Sequence, residues 1–456
     1  MPGSMARLVE DLFAAHPGHL PYLAHGDDVR TRADLHAQVR AEAAVFAGCG
    51  ITEGSTVLLQ VPPSYTQVQA MLALWSLGAQ VMLVDHRFKT AEVDGIRSVG
   101  RPQFTVRGGQ SGATPSFARE YELCTSHHPT GEPADTGHRL VQFSSGSTGA
   151  PKMIGRTPES IAAEIDRFTR IDGMPSRGER VLLLSSTAHS FGLIAGLLHS
   201  LARGVAAVFP ARVSAADMLA AAARHDVHLF FGTPFHYELL GTARELPALP
   251  SLRGAVSGGE IMDPAVAARF EAKFGFAVGE SYGSTETGVI AMDVSGRMRP
   301  SVGRAAPGVE IRVRADELEV KVPDGSPYLR STVDERFEDG WLRTRDRAEI
   351  GADGGVRLRG RGDSLVVIGG LKVDLGEIEA ALRQHPAVTD AVVVHDEVID
   401  AYVVGEVTGP DLLTWCGERL ADYKLPRRVR LLAALPRTSN GKLVRRHEVL
   451  RAAVPA

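Results

Sequence analysis

SSGSTGAPK, residues 144–152, decides how the rest of the chain is read. It is entered from the apolar run Leu140, Val141, Gln142 and Phe143, so strand-like residues pass straight into serines, a threonine and two glycines, closed by Pro151 and Lys152. Hydroxyl and backbone N–H donors crowded on so small a turn, with a cation at its exit, suit a multiply charged phosphate. Glycine lets the backbone approach such a group closely. The stretch is not a Walker A loop: after Gly146 and Gly149 come Ala150, Pro151 and Lys152, with Met153 where that motif places a hydroxyl. An unrelated P-loop phosphotransferase is excluded on that ground. Taken alone, the stretch reads equally well as a Ser/Gly-rich surface loop, and residues far downstream decide between the two.

The 456 residues, 44% hydrophobic and 23% charged, have the make-up of a soluble protein divided into two to four folding units. Lys plus Arg (50) nearly balance Asp plus Glu (54), so charge points to neither a nucleic acid nor a membrane surface as partner. Cys49, Cys124 and Cys416 are odd in number and far apart, which argues against a disulfide framework or a zinc site and fits a reducing cytoplasm. The opening MPGSMARLVEDLF lacks the pattern of a secretory leader, and no apolar run reaches membrane-spanning length. The expectation is a cytoplasmic protein without a membrane span, monomeric or homodimeric.

Helical periodicity runs through residues 29–50, with Leu35, Val39, Ala43 and Phe46 on one stripe. STVLLQVP (55–62) reads as a buried strand, a helix follows from about Tyr65 to Leu77, and VMLVD (81–85) is the next strand. Strand, helix and strand at this spacing predict a parallel α/β sheet. Residues 107–138, rich in Gly, Ser, Thr and Pro, are expected to form a long irregular connection, with His127 and His128 a solvated pair rather than metal ligands. Further βα units follow at RVLLLSS (180–186), with a helix after Gly192, and at VAAVFP, VHLFFG and RGAVSGGE. From Val309 to Leu371 short alternating segments predict antiparallel strands, and after Gly376 the chain returns to mixed α and β.

GESYGSTETG, residues 279–288, supplies an aromatic face, a tight glycine turn, two hydroxyls and a carboxylate between Tyr282 and Glu286. On its own it could equally be a helix start capped by Ser284 or Thr285. DGWLRTRD (339–346), GRGDSLVVIGGLKVDLGEIE (360–379) and LPRTSNGKLVRR (435–446) follow. In this order and spacing, together with the first loop, they closely resemble the adenylate-forming superfamily, which holds acyl- and aryl-CoA ligases, luciferase and peptide-synthetase adenylation domains. The resemblance runs from about Gly26 to about Leu450.

The resemblance implies an α/β fold: a large N-terminal adenylation core, residues 1–362, of two doubly wound sheets plus a small β-barrel, and a mobile α+β C-terminal domain, residues 363–456, hinged at Asp363. It implies ATP-dependent activation of a carboxylic acid to an acyl-adenylate with release of pyrophosphate, then transfer to the pantetheine thiol of CoA or of a carrier protein. Mg²⁺ is the implied metal. Ser144, Ser145, Gly146, Ser147, Thr148, Gly149 and Lys152 would hold the β- and γ-phosphates. Thr285 would donate to the α-phosphate, and Glu286 would hold Mg²⁺. Tyr282, beside Gly283, would stack on adenine, with Gly258, Gly259 and Glu260 lining the adjacent turn. Asp346 would accept both ribose hydroxyls, with Arg361 a further donor. Lys442 would bridge the substrate carboxylate and the α-phosphate, favouring the transition state that forces two anions together. Without the motif set, Asp346 would read as a strand-end partner of Arg343, and Lys442 as one more solvated lysine.

STAHSFGLIAGLL (186–198) resembles the segment forming one wall of the acid pocket in acyl- and aryl-CoA ligases. His189 would line or gate that pocket, Phe191 and Gly192 would set its depth, and Phe231, Gly232, Thr233 and Ser257 would supply other walls. Mostly apolar walls suit an aryl or a short-to-medium acyl acid, and no Asp stands ready for an α-amino group. Arg345 replaces the glycine that usually precedes the ribose-binding Asp, Asp316 replaces the glycine that opens the GEL segment, and Val367 replaces a common hinge-motif lysine. RGD at 361–363 and GDSL at 362–365 are chance matches within the hinge motif. No carrier segment follows Leu450, so a carrier protein would be a separate chain. The competing reading is a catalytically inactive ATP- or AMP-binding sensor or scaffold. Lys152, Glu286, Asp346 and Lys442 together speak against it.

Overall fold

Residues 57–59 and 81–83 are unbroken apolar runs because the strands they form are covered on both faces. Thr56–Gln60 and Gln80–Leu83 lie parallel, paired from Thr56 with Gln80 to Leu59 with Leu83, and all but Gln60 are buried. The computed structural model describes residues 4–88, 90–108, 117, 120–145, 151–323, 325–330, 336–368, 371–420, 424–438 and 443–454. The chain divides into two units. The first comprises residues 1–311, 320–342 and 351–356, and the second residues 312–319, 343–350 and 357–456.

The first unit holds two large sheets. A seven-stranded sheet runs in the order Tyr328–Leu329, Pro151–Arg156, Leu140–Ser145, Gln80–Leu83, Thr56–Gln60, Phe104–Gly108 and Leu123–His127, parallel in its middle and antiparallel at its edges. A nine-stranded sheet has Gly279–Ser284, Gly254–Gly258, Leu229–Gly232, Arg180–Leu183, Ala206–Phe209 and Pro21–His25 side by side in parallel. One continuous apolar cluster joins alternate residues of both sheets, Val57 and Leu59 with Val181 and Leu183, to the helices between them. The helix Tyr65–Ser76 is buried on all sides from Tyr65 to Trp75, and its buried Thr66, Gln67 and Gln69 are satisfied by hydrogen bonds. Ser64 caps its start by accepting from the Gln67 N–H.

A curled half-barrel sheet orders the strands Ile311–Arg314, Glu317–Lys321, Trp341–Ile350 and Phe337–Glu338, with Val356–Arg361 also paired to Trp341–Ile350. In the second unit, Val388–His395, Ile399–Gly405 and Arg428–Leu431 form a three-stranded sheet. The helices Leu375–Arg383 and Gly409–Gly417 cover it, and Ile378, Leu382, Val393, Val403 and Leu412 are among its core. These sheets are the α/β architecture expected from the sequence.

Two local expectations are corrected and one alternative is decided. The 107–138 connection contains an edge strand, Leu123–His127, paired antiparallel with Phe104–Gly108; its half-exposed side chains leave no apolar run to signal it. The segment after Gly192 begins one residue earlier and runs as a π-helix, Phe191–Leu198, before His199–Arg203 continues as α-helix. Gly283 to Gly288 is the tip of a β-hairpin between Gly279–Ser284 and Gly288–Asp293, not a capped helix start.

Candidate active site

The serine- and glycine-rich segment links two antiparallel neighbours of the seven-stranded sheet. Ser144 stands opposite Lys152 and Ser145 opposite Pro151. The chain therefore leaves this segment as a strand, and no helix N-terminus stands behind it as in a Walker A loop. Gly146, Ser147, Thr148 and Gly149 lie outside the described residues, as does Lys442. Lys152 places its ammonium 5.2 Å from the centre of the Tyr328 ring, within cation–π range. Tyr328 is brought there by the edge pairing of Tyr328–Leu329 with Ile154 and Met153.

The hairpin at 279–293 carries Tyr282 on its first strand and Thr285 and Glu286 at its tip. Ser284 closes the tip by accepting from the Thr287 N–H at 3.3 Å. Two glycines are required there. A Cβ on Gly283 would lie 2.3 Å from the Gly288 carbonyl oxygen, and one on Gly288, at φ 70°, would lie 2.3 Å from the Glu164 carboxylate. Glu164 is only 1% exposed. It forms an ion pair of 2.7 Å with the buried Arg156, which lies on the strand leaving the Ser/Gly segment, and accepts from the Val289 N–H at 3.1 Å. One carboxylate thus ties the strand behind Lys152 to the hairpin that presents Glu286.

The Glu286 carboxylate is 9% exposed, and its Oε1 accepts from the Tyr328 hydroxyl at 2.9 Å and from Arg336 Nη2 at 2.8 Å. The Arg336 guanidinium also lies 5.1 Å from the Tyr328 ring centre. Magnesium is commonly held by one or two carboxylates completed by substrate phosphates and water. Among the described residues no group of three acidic, cysteine or histidine side chains could hold a metal by itself. A single carboxylate that shares Tyr328 with Lys152 fits a cation that arrives with a nucleotide.

Thr285, His189, Ala188 and Gln142 share a narrow cleft of about 20 Å³ with Asp85 and Phe88. Ser190 donates to Gln142, which donates in turn to the Ala188 carbonyl, so polar bonds fix the backbone next to His189. Phe191 stands 5.7 Å from Phe231, centre to centre, and covers Gly258, where a Cβ would come 2.8 Å from its ring. Glycine is required at Gly192 by its backbone neighbour: a Cβ there would meet the Ser186 carbonyl at 2.2 Å. Strand alternation puts Phe231 and Gly258 on the face with Val256, whereas Gly232 and Ser257 share the opposite face with Ala255. Thr233 sits against His236, whose pKa burial lowers to about 4, leaving a neutral ring. Gly259, at φ 94°, turns the chain into Glu260, and nearby Glu280 accepts from the Met262 N–H; burial pushes the Glu280 carboxyl up.

In the second unit, Arg361 Nη1 is 3.5 Å from Asp346 Oδ1. Asp346 lies within the strand Trp341–Ile350, and its N–H donates to Thr344 Oγ1. Arg345 adopts φ 64° and Asp316 φ 65°, so both hold the left-handed conformation their usual glycines would adopt. Glu317 supports the first of these: its carboxylate accepts the Arg345 N–H at 2.7 Å and two bonds from the Arg343 guanidinium. Asp363 lies in the short turn Gly362–Ser364, and Ser364 donates to Asp374 at 2.8 Å, the residue that caps the next helix.

Tyr328, Arg336 and Glu317 escaped the sequence reading. Glu164 carried a signal, since with Ile161, Ile165 and Phe168 it occupies the buried stripe of the helix Pro158–Thr169.

A family model described as AMP-binding enzyme matches residues 10–327, and the AMP-binding enzyme C-terminal domain matches residues 377–442. The chain belongs to the AMP-binding enzyme family. It is an acid–thiol ligase of the AMP-forming class, with ATP, Mg²⁺ and CoA as the reactants of that class. The chain is 26% identical, over 94% of its length and 95% of the relative's, to the 3-[(3aS,4S,7aS)-7a-methyl-1,5-dioxo-octahydro-1H-inden-4-yl]propanoyl:CoA ligase of Rhodococcus jostii. It is 28% identical, over 92% of its length and 64% of the relative's, to the p-hydroxybenzoic acid–AMP ligase of Mycobacterium tuberculosis. The O-succinylbenzoate coenzyme A synthetase of Bacillus subtilis, solved in complex with AMP, shares the fold at TM-score 0.81 and 24% identity, covering 96% of this chain and 97% of that one.

Proposed function

We propose that this enzyme activates an aryl or short-to-medium acyl carboxylic acid as its acyl-adenylate and passes the acyl group to a pantetheine thiol, CoA or that of a separate carrier protein. The observation that carries the reading is the meeting of the Lys152-bearing strand and the Glu286-bearing hairpin at Tyr328, which sets a phosphate cation beside a metal-binding carboxylate. The covering of Gly258 by Phe191 supports an acid of limited length.

In the first step a substrate carboxylate oxygen bonds to the α-phosphorus of ATP while the bond from that phosphorus to the bridging oxygen breaks, and pyrophosphate leaves with the electron pair. Ser144, Ser145, Ser147, Thr148 and Lys152 hold the departing phosphates, with Gly146 and Gly149 allowing close approach. Thr285 donates to the α-phosphate, and Glu286 holds Mg²⁺, which when bound offsets the phosphate charge. Tyr282 stacks on adenine beside Gly283 and the 258–260 turn, and Asp346 and Arg361 take the ribose. Lys442 neutralises the two anions as they meet. In the second step the thiol sulfur bonds to the acyl carbon, AMP leaves, and the thiol proton passes to solvent. His189, Phe191 and Phe231 shape the acid pocket from one face of the sheet, Gly232, Thr233 and Ser257 close it only through their backbone at the strand ends, and Asp363 is the hinge between residues 1–362 and 363–456.

Pyrophosphate exchange into ATP, measured across a panel of aryl and aliphatic acids, tests the reading. Exchange should appear with some members of the panel and be lost in Lys442→Ala; no exchange with any acid would overturn it. Mass spectrometry of the thioester then separates CoA from a carrier protein as acceptor.

A further inference from the structure

Arg336 donates to the oxygen of Glu286 that also takes the Tyr328 hydroxyl, at 2.8 and 2.9 Å. A carboxylate oxygen offers two lone pairs, and both on Oε1 are engaged. A divalent cation that takes that oxygen displaces one donor, and one that takes Oε2 instead sets two positive charges against the same carboxylate. The phenol is neutral and is repelled little by the incoming metal, whereas the guanidinium always carries its charge and is repelled strongly. Arg336 is therefore the donor that leaves.

Its side chain is 16% exposed and its guanidinium lies 5.1 Å from the centre of the Tyr328 ring, on which Lys152 also rests at 5.2 Å. A cation released from Glu286 but still held by that ring stays beside Lys152. The planar fork of an arginine matches phosphate oxygens in pairs.

We propose that Arg336 is an exchangeable counter-ion: it neutralises Glu286 before the nucleotide binds, yields that carboxylate to Mg²⁺, and moves to the triphosphate beside Lys152. This rests on the reading of Glu286 as the Mg²⁺ ligand. It assigns to one side chain two partners of opposite role, and it makes the benefit of Mg²⁺ depend on a residue that never touches the metal.

The test is calorimetric binding of the α,β-methylene analogue of ATP to the full-length protein, in Mg²⁺ and in EDTA. The quantity read is the ratio of the two dissociation constants. In Arg336→Met, binding in EDTA should weaken about tenfold, the scale of one charge-assisted hydrogen bond, because Glu286 now faces the phosphates unneutralised. In Mg²⁺ the lost phosphate contact is offset by a carboxylate already free, so binding should stay within about threefold and the ratio should rise. Arg336→Lys, which keeps the cation, should restore binding in EDTA. Arg336→Gln, which keeps a donor without charge, should raise the ratio like Arg336→Met and serves if that variant does not fold. Equal weakening in both conditions would mean a purely structural arginine and overturn the proposal. Glu286→Gln separates the two levels: its ratio should fall toward one, and a ratio unchanged from wild type would remove the metal-ligand reading itself.

Discussion

Replacing Glu164 should reveal how far the strand Pro151–Arg156 and the hairpin depend on each other. Its carboxylate pairs with Arg156 at 2.7 Å and accepts the Val289 N–H at 3.1 Å, and both charged side chains are almost fully buried. In Glu164→Ala, Arg156 becomes a buried cation without its carboxylate, at a cost of about 3–5 kcal/mol. The Val289 N–H loses its acceptor, worth a further ~1–3 kcal/mol when the two are counted separately. Shared relaxation reduces the sum, so we expect a loss of roughly 5 kcal/mol against total stabilities of about 5–15 kcal/mol. Urea titration followed by tryptophan fluorescence should show an early loss of structure. The paired replacement Arg156→Met with Glu164→Met removes both charges together and should recover all but about 2 kcal/mol. Its pyrophosphate exchange should nevertheless stay low, because an apolar contact does not fix Val289 or the tip beyond it. A Glu164→Ala protein that lost less than about 1 kcal/mol would refute the reasoning, as would a paired variant with full exchange activity.

His199 is fully buried with no hydrogen-bond partner at either ring nitrogen among the described residues, so His199→Leu should raise the melting temperature, by about 1–3 kcal/mol of stability. The same ring and His236 give acid sensitivity. Burial lowers their pKa values to about 3 and about 4 from 6.5, so between those values and 6.5 the unfolded chain binds more protons than the folded one. Stability should therefore fall as pH drops from about 6.5 toward 4, with a shallower slope in His199→Leu, as read from melting curves against pH. Arg345→Gly should stay within about 1 kcal/mol of wild type, since relief at φ 64° is offset by glycine's entropy, whereas Arg345→Val should cost ~2–3 kcal/mol in urea titration. Phe191→Ala should shift the acid panel in pyrophosphate exchange toward longer acids, because it uncovers Gly258.

The sheet interior was legible because parallel strands covered on both faces carry continuous apolar runs without alternation, as at residues 57–59 and 229–231. The edge strand Leu123–His127 was not, since its side chains are largely exposed and its sequence matches a loop. The replacement of usual glycines by Asp316 and Arg345 was visible in the sequence, but their positive φ was not, since neither side chain announces a left-handed backbone. The π-helix after Ser190 leaves no pattern, because a one-residue shift of backbone bonding does not alter which residues are apolar. Arg336 and Tyr328 were invisible for another reason. They reach Glu286 from 50 and 42 residues away, and nothing in the local sequence records that meeting.

The two glycines that flank the hairpin tip leave no free space on either side: one abuts backbone, the other the buried Glu164. The segment presenting Thr285 and Glu286 is thereby set in place when the polypeptide folds, before any nucleotide arrives. The entropy of ordering that part of the pocket is already spent at synthesis, so docking there should proceed as with a rigid template, with little of the unfavourable entropy that a loop closing around its guest would show.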